Sequence, residues 1–224
     1  SPEHKRYLSK VCKNNENFFW FNQDKNTKGI YGAMNTGLRK AKKNEWIFFW
    51  GSDDLPSHLE VMDLINKLIN EYSLKQKKLP DLFVFNGSYI KEDFSFLKNS
   101  YFLSKETTNN LINNDFRRYL FYGYIPPHQA TLFNIQTIKD IYYDEKFILA
   151  ADLDYFLRLS RLNGINIITS NINIVKMINT GISSQRHFLR TREVIWCYFK
   201  QFRILFFVPL FSRYIKRFFR LLKS

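Results

Sequence analysis

An α/β fold is what this chain's pattern predicts, and three observations carry the prediction. Continuous apolar runs of strand length occur at residues 18–21 (FFWF), 46–50 (WIFFW) and 82–85 (LFVF), as expected for strands covered on both faces. Segments with helical spacing of apolar residues separate them. The second run ends in Gly51, Ser52, Asp53 and Asp54, and in an open α/β sheet ligands bind beyond the carboxyl ends of the strands.

In chain order, residues 3–13 read as a helix, followed by an Asn-rich break at 14–17 and the strand 18–21. A polar loop over 22–28 leads to Lys28 and Gly29. A helix follows over 34–43, interrupted by Gly37. After strand 46–50 stand Asp53 and Asp54. Adjacent carboxylates repel unless a cation or donor lies between them, and a hard divalent cation carrying substrate phosphates meets that need. The alternative is a strand-end turn in which one of the two acids caps a helix starting near His58. That helix is expected from Pro56 and Ser57 to about Tyr72, burying Leu59, Met62, Leu64, Ile65, Leu68 and Ile69. Residues 75–78 form a solvated basic loop, and 82–85 the next strand.

Residues 86–103 alternate loosely as a strand or hairpin, 107–122 read as a helix with Thr107 or Thr108 as N-cap, and 123–127 as a turn. A short strand is expected over 127–133, carrying His128. This histidine either orients a hydroxyl or phosphate or is a hydrogen-bonded core residue. A further helix over about 150–159, ended by Gly164, brings Asp152 and Asp154 to its start. There an ionised carboxylate is stabilised, which suits a general base. Two residues apart on a helix, they point in different directions. Without other context both read as caps. Residues 165–175 alternate as a strand.

Residues 28–54 (KGIYGAMNTGLRKAKKNEWIFFWGSDD) resemble the family-2 glycosyltransferases, whose nucleotide-diphospho-sugar domain is called GT-A. The matching positions are Gly29-Ile30-Tyr31, Ala33-Met34-Asn35, Gly37, Ala41, Ile47, Phe48 and Ser52-Asp53-Asp54. The relatives carry Asp where Thr27 and Gly32 stand, and Asn at Gly51. A second match runs through Asp144-Glu145-Lys146-Phe147 to Arg158 and Leu159, and residues 179–184 resemble the segment closing the catalytic domain. The resemblance implies a GT-A (Rossmann-like) mixed sheet flanked by helices, beginning here after the first strands of such a domain, in keeping with Ser1 as first residue.

By the same resemblance Asp54 is the metal ligand, binding Mn²⁺ or Mg²⁺ across the donor's diphosphate. Lys28, Gly29, Tyr31, Asn35 and Asp53 face the donor. Asp152 is the catalytic base, and His128, Asp154 and Arg158 lie on the acceptor side, Asp154 capping its helix or pairing with Arg158. The implied reaction is inverting transfer of a sugar to a hydroxyl of a glycan or lipid-linked oligosaccharide. A non-catalytic, membrane-associated remnant or scaffold of a transferase is the alternative.

Charge divides the chain at about residue 184. Of 34 Lys and Arg against 20 Asp and Glu, residues 185–224 carry ten basic groups with Glu193 as their sole acid, so the basicity belongs to a tail. The apolar run at 204–211 is too short to span a bilayer. Beyond it, Phe211, Tyr214, Ile215, Phe218, Leu221 and Leu222 share one helical face, opposite Arg213, Lys216, Arg217, Arg220 and Lys223. That pattern predicts a helix in the plane of an anionic membrane surface. Its alternative is a helix packed on the domain with solvated cations. The division expected is therefore a transferase domain over 1–184 and an amphipathic tail over 185–224. A cytoplasmic enzyme peripheral to the inner face of the membrane follows. Cys12 and Cys197 have no metal-type spacing, and a reducing compartment fits them. Nucleic acid is not an expected partner, because the 18% of aromatic residues sit in apolar runs rather than among cations.

Overall fold

The computed structural model describes residues 2–16, 18–23, 25–75, 78–103, 109–138, 140–178 and 186–222. Its helices are α1 (Pro2–Asn14), α2 (Gly29–Lys40), α3 (Val61–Lys75), α4 (Asn113–Phe121), α5 (Ile135–Ile138), α6 (Ala151–Leu159), α7 (His187–Phe202) and α8 (Phe207–Leu222). Its strands are β1 (Trp46–Ile47), β2 (Leu55–Pro56), β3 (Leu82–Ile90), β4 (Phe96–Ser100), β5 (Asn109–Ile112), β6 (Thr131–Asn134) and β7 (Asn166–Ile178). They form one mixed sheet in the order β1-β6-β3-β7-β2, with β4 on the distal half of β3 and β5 beside β7. β3 and β7 are parallel, while β6 runs antiparallel to both β1 and β3. The expected α/β sheet is present, and residues 179–184, which resemble the family's closing segment, lie outside the described residues.

Period-two alternation divides the strands between two cores, as a sheet covered on both faces requires. Leu82 and Val84 of β3, Phe133 of β6 and Ile167 of β7 enter a core against α2, α4, α6 and α7. Phe83, Phe85, Leu132 and Ile168 enter the other, against Val61 and Ile65 of α3. The run 46–50 obeys the same rule beyond its two ladder residues. Trp46, Phe48 and Trp50 pack on the α3 side, and Ile47 and Phe49 on the α6 side. Only the ladder is shorter than the apolar run suggests.

Several expectations change. Leu59, at 97%, and Met62, at 49%, are exposed and not buried as their spacing suggested. Residues 18–21 are exposed coil, Phe19 at 74%, since no strand among the described residues pairs with them. Leu55 and Pro56 pair with β7 rather than opening a helix, so α3 begins at Val61. Residues 109–112 are strand, bonded antiparallel to β7, and the helix expected from 107 begins at Asn113. His128 lies on a 3₁₀ turn (His128–Ala130) that precedes β6, not within the strand.

α7 belongs to the domain core. Val194, Cys197 and Tyr198 are buried in the α6-side cluster. A break follows at Arg203, which has φ 51°. The Tyr214 hydroxyl then donates to Thr191 Oγ1 at 3.1 Å, so α8 folds back along α7. Gly123, at φ 77°, permits this closure. A Cβ there would sit 2.9 Å from the Arg213 backbone, closer than real side chains approach.

Candidate functional site

The site lies where β1 runs out. β6 is antiparallel to β1, with Ile47 opposite Phe133, so the turn before β6 flanks the loop after β1. Trp50 Nε1–H donates to the Gln129 carbonyl at 3.1 Å, and the Phe49 ring stacks on His128 at 5.7 Å. These contacts fix Gly51 to Asp54. The Gly51 N–H donates to Asp54 Oδ2 at 2.6 Å, and a Cβ on Gly51 would stand 2.7 Å from Asp53 Oδ1. Gly51 therefore lets both carboxylates fold back over the loop, where the family's Asn would displace them. Asp53 is exposed and Asp54 half-buried. Burial, then the neighbouring charge of Asp53, raises the Asp54 pKa above the ordinary carboxylate value.

A chain of aromatic rings leads from this loop to the start of α6. His128 Nε2 lies 2.7 Å from the Tyr143 hydroxyl. Tyr143 stacks on Tyr31 at 5.7 Å and on Tyr155 at 4.2 Å. The Tyr31 hydroxyl faces the backbone N–H groups of Ala151 and Asp152. Burial is the main cause that raises the pKa of Tyr31 and Tyr143, and the charge of Asp152 adds to it. Burial lowers that of His128, against the pull of Asp152. The histidine is neutral at pH 7 and serves as a hydrogen-bonded wall residue.

Asp152 stands in the first turn of α6, partly exposed, with Oδ1 accepting the Leu153 N–H at 2.8 Å. Asp154 is different. It is fully buried, accepting from Arg158 Nε at 2.7 Å and from Lys200 Nζ at 3.2 Å. Arg158 also donates to the Tyr142 carbonyl at 2.7 Å. Burial of the Lys200 ammonium acts against its charge, yet Asp154 and Asp144 leave its pKa raised. Asp154 and Arg158, expected on the acceptor side, are committed to this internal network instead. His128 is likewise enclosed, at 7% exposure.

The residues expected to face a donor divide in the same way. Lys28, Gly29 and Asp53 are exposed, and Gly29, at φ 65°, opens α2. Tyr31 and Asn35, one helical turn apart, point inward. Asn35 Nδ2 donates to the Tyr143 carbonyl at 3.0 Å and to Glu145 Oε1 at 2.9 Å. Its Oδ1 accepts the Tyr143 N–H at 2.8 Å. Glu145 Oε2 takes the Lys28 N–H at 3.3 Å. Asn35 is saturated, and its role is to couple α2 to the loop before α6, not to hold a ligand.

Sequence reasoning missed Glu193. From α7 its carboxylate accepts the N–H groups of Ile148, Leu149 and Ala150 at 2.9, 2.8 and 3.0 Å. It thereby fixes the residues entering α6. Its place as the sole acid of the basic residues 185–224 was the available signal.

A family model described as glycosyl transferase family 2 matches residues 2–120, and the chain belongs to that family. Among solved structures, S. aureus TarS 1-349 superposes with a TM-score of 0.61 at 17% identity, over 94% of this chain and 59% of that one. The likeness shows the fold, the mixed α/β arrangement of GT-A proteins, and this chain spans 59% of the length of that structure. S. aureus TarS and TarS 1-349 in complex with UDP each reach a TM-score of 0.48 at 19% identity. They cover 74% and 75% of this chain, and 26% and 44% of their own. Comparison with curated proteins finds no match.

Proposed function

We propose that the chain transfers a sugar, with inversion, from a nucleoside-diphosphate donor to a hydroxyl of a glycan or lipid-linked oligosaccharide. The observation that carries this reading is a continuous chain of contacts, through Phe49, His128, Tyr143 and Tyr31, that joins the Asp53–Asp54 loop to Asp152, about a hundred residues on.

The donor set fits a divalent cation. Asp54 is half-buried beside a second carboxylate, one of its oxygens held by Gly51. A hard cation with oxygen ligands relieves that crowding. No group of three or more His, Cys, Asp or Glu suited to a metal occurs among the described residues. Phosphate and water oxygens would complete the shell, as Mg²⁺ and Mn²⁺ sites allow. Held by Asp54 with Asp53 beside it, Mn²⁺ or Mg²⁺ would neutralise charge on the departing diphosphate.

Lys28, Gly29 and Asp53 present the exposed surface over which the donor lies. Asp152 accepts the proton of the acceptor hydroxyl while that oxygen bonds to the anomeric carbon. The bond from that carbon to the diphosphate breaks in the same displacement, and the nucleoside diphosphate leaves with the electron pair. One base suffices, so no covalent sugar–enzyme intermediate forms. The basic α7–α8 region holds the enzyme to the cytoplasmic face of the membrane, where a lipid-linked acceptor resides.

Release of nucleoside diphosphate from a panel of nucleotide sugars, with membrane-lipid acceptors present, tests the reading. Asp54→Ala and Asp152→Asn should each lower turnover at least about a hundredfold, the scale of general acid–base catalysis, with melting curves unchanged. Near-normal turnover in either variant refutes the role given to that residue.

A further inference from the structure

Between α7 and α8 lies a cavity of about 300 Å³ lined by His187, Arg190, Thr191, Val194, Arg213 and Tyr214. This is at the small end of ligand sites. Its polar groups are of one kind, since two guanidinium groups, an imidazole and two hydroxyls line it and, among the described residues, no carboxylate does. Glu193 on the same helix is turned away, its carboxylate taken by three backbone N–H groups. Arg213 is held in place, its backbone against Gly123 and its guanidinium beside the Tyr198 hydroxyl. Its Nη1 is buried against that hydroxyl, and neither atom has another partner among the described residues. A guanidinium carries five N–H donors in a fixed fork, and an anionic oxygen is the acceptor that suits those that line the cavity.

What lies next to the cavity identifies the anion's source. On α8, Phe207, Phe211, Tyr214 and Ile215 fall on one face by their spacing, and all are exposed, Phe211 at 69%. Tyr214 belongs both to this stripe and to the cavity wall. On α7 and the turn after it, Phe188, at 84%, and Ile204, at 82%, are also exposed. The helical run His187–Ile215 is long and apolar enough to cross a membrane by composition. It does not continue as one rod, because it breaks at Arg203 and doubles back. An exposed apolar stripe bordering a cationic cavity matches a bilayer interface, acyl chains meeting the first and headgroups the second.

We infer that the α7–α8 cavity is a binding site for the phosphate of an anionic lipid headgroup, seating the transferase on the membrane through a defined pocket and not by diffuse charge alone. This rests on the peripheral-membrane reading above and adds a specific contact to it.

Co-sedimentation of the full chain with vesicles of phosphatidylcholine, alone or with phosphatidylglycerol, separates the two. Arg213→Gln and Arg190→Gln should each weaken binding to the anionic vesicles at least about tenfold, since hydrogen bonds to a charged group are lost. Arg203→Gln, on the exposed turn, removes the same charge and should cost at most about fivefold, the share of a solvated surface cation. Near-UV circular dichroism confirms that α8 remains docked in each variant. Equal losses in the cavity and Arg203 variants overturn the pocket and leave the membrane reading standing. Displacement from vesicles by millimolar glycerol phosphate, with cavity variants insensitive to it, would identify a site for free phosphate and overturn the lipid assignment. Phe207→Ser with Phe211→Ser should weaken binding to both vesicle types. Full binding by that double variant refutes the peripheral-membrane reading itself.

Discussion

Asn35 shows at one residue how the two motifs of this chain depend on each other. Its amide pairs with both backbone groups of Tyr143 and also binds Glu145. Asn35→Ala leaves a buried N–H and C=O unpaired and should destabilise the fold by about 1–3 kcal/mol per group, measurable by urea denaturation. Asn35→Asp should be no better, since a carboxylate cannot donate and would face Glu145. The sequence showed Asn35 as part of a motif, but a motif does not say whether a side chain points to a ligand or to the chain itself. That distinction needed the register of α2 against residues 143–145, over a hundred residues away in sequence. His128 carries a second expectation at this scale. Burial lowers its folded pKa below the unfolded value of about 6.5. Its contribution to stability is whole above pH 6.5, and it is lost as pH falls toward the folded pKa, because only the unfolded chain takes up the proton. His128→Gln should flatten the fall in stability between pH 7 and 5. An unchanged slope would show that His128 is protonated in the native state.

Among the elements, α7 is the one whose role the sequence least revealed. Its charge marks it as tail, whereas its buried Val194, Cys197 and Tyr198 make it core, and Glu193 and Lys200 reach the entry and the body of α6. Helical periodicity exposes an apolar face but not which surface receives it. Glu193→Ala should speed amide exchange at residues 148–150 and lower turnover, with donor affinity nearly kept. Glu193→Gln retains one acceptor oxygen and should recover part of both. The loop after β1 was more legible, since its aromatic run and terminal acids are local. The strand expected at 18–21 was not, because a strand exists only with a partner to pair. For α8, Gly123→Val places a Cβ against the Arg213 backbone and forces a left-handed conformation that costs about 1–2 kcal/mol. α8 should then exchange and be cleaved by protease faster, with the rest of the domain protected.

For the whole molecule, the sheet topology decides where chemistry is possible. β6 returns antiparallel between β1 and β3 and brings the turn that carries His128 beside the loop that carries Asp53 and Asp54. α7 carries part of the basic surface and also supports α6, so the proposed membrane seating and the proposed acceptor side share that helix. Vesicle association should weaken as salt rises, as screened surface charge requires. Binding that persists undiminished at high salt would place its origin in apolar contact alone. The account's central claim is that the Asp53–Asp54 loop is a cation-dependent diphosphate site. Calorimetric titration of the chain with UDP, and separately GDP, with and without Mn²⁺, tests it most directly. The account predicts binding of one nucleotide that requires Mn²⁺, is abolished in Asp54→Ala and is preserved in Asp152→Asn. Binding of equal strength without the cation, or in Asp54→Ala, would contradict it.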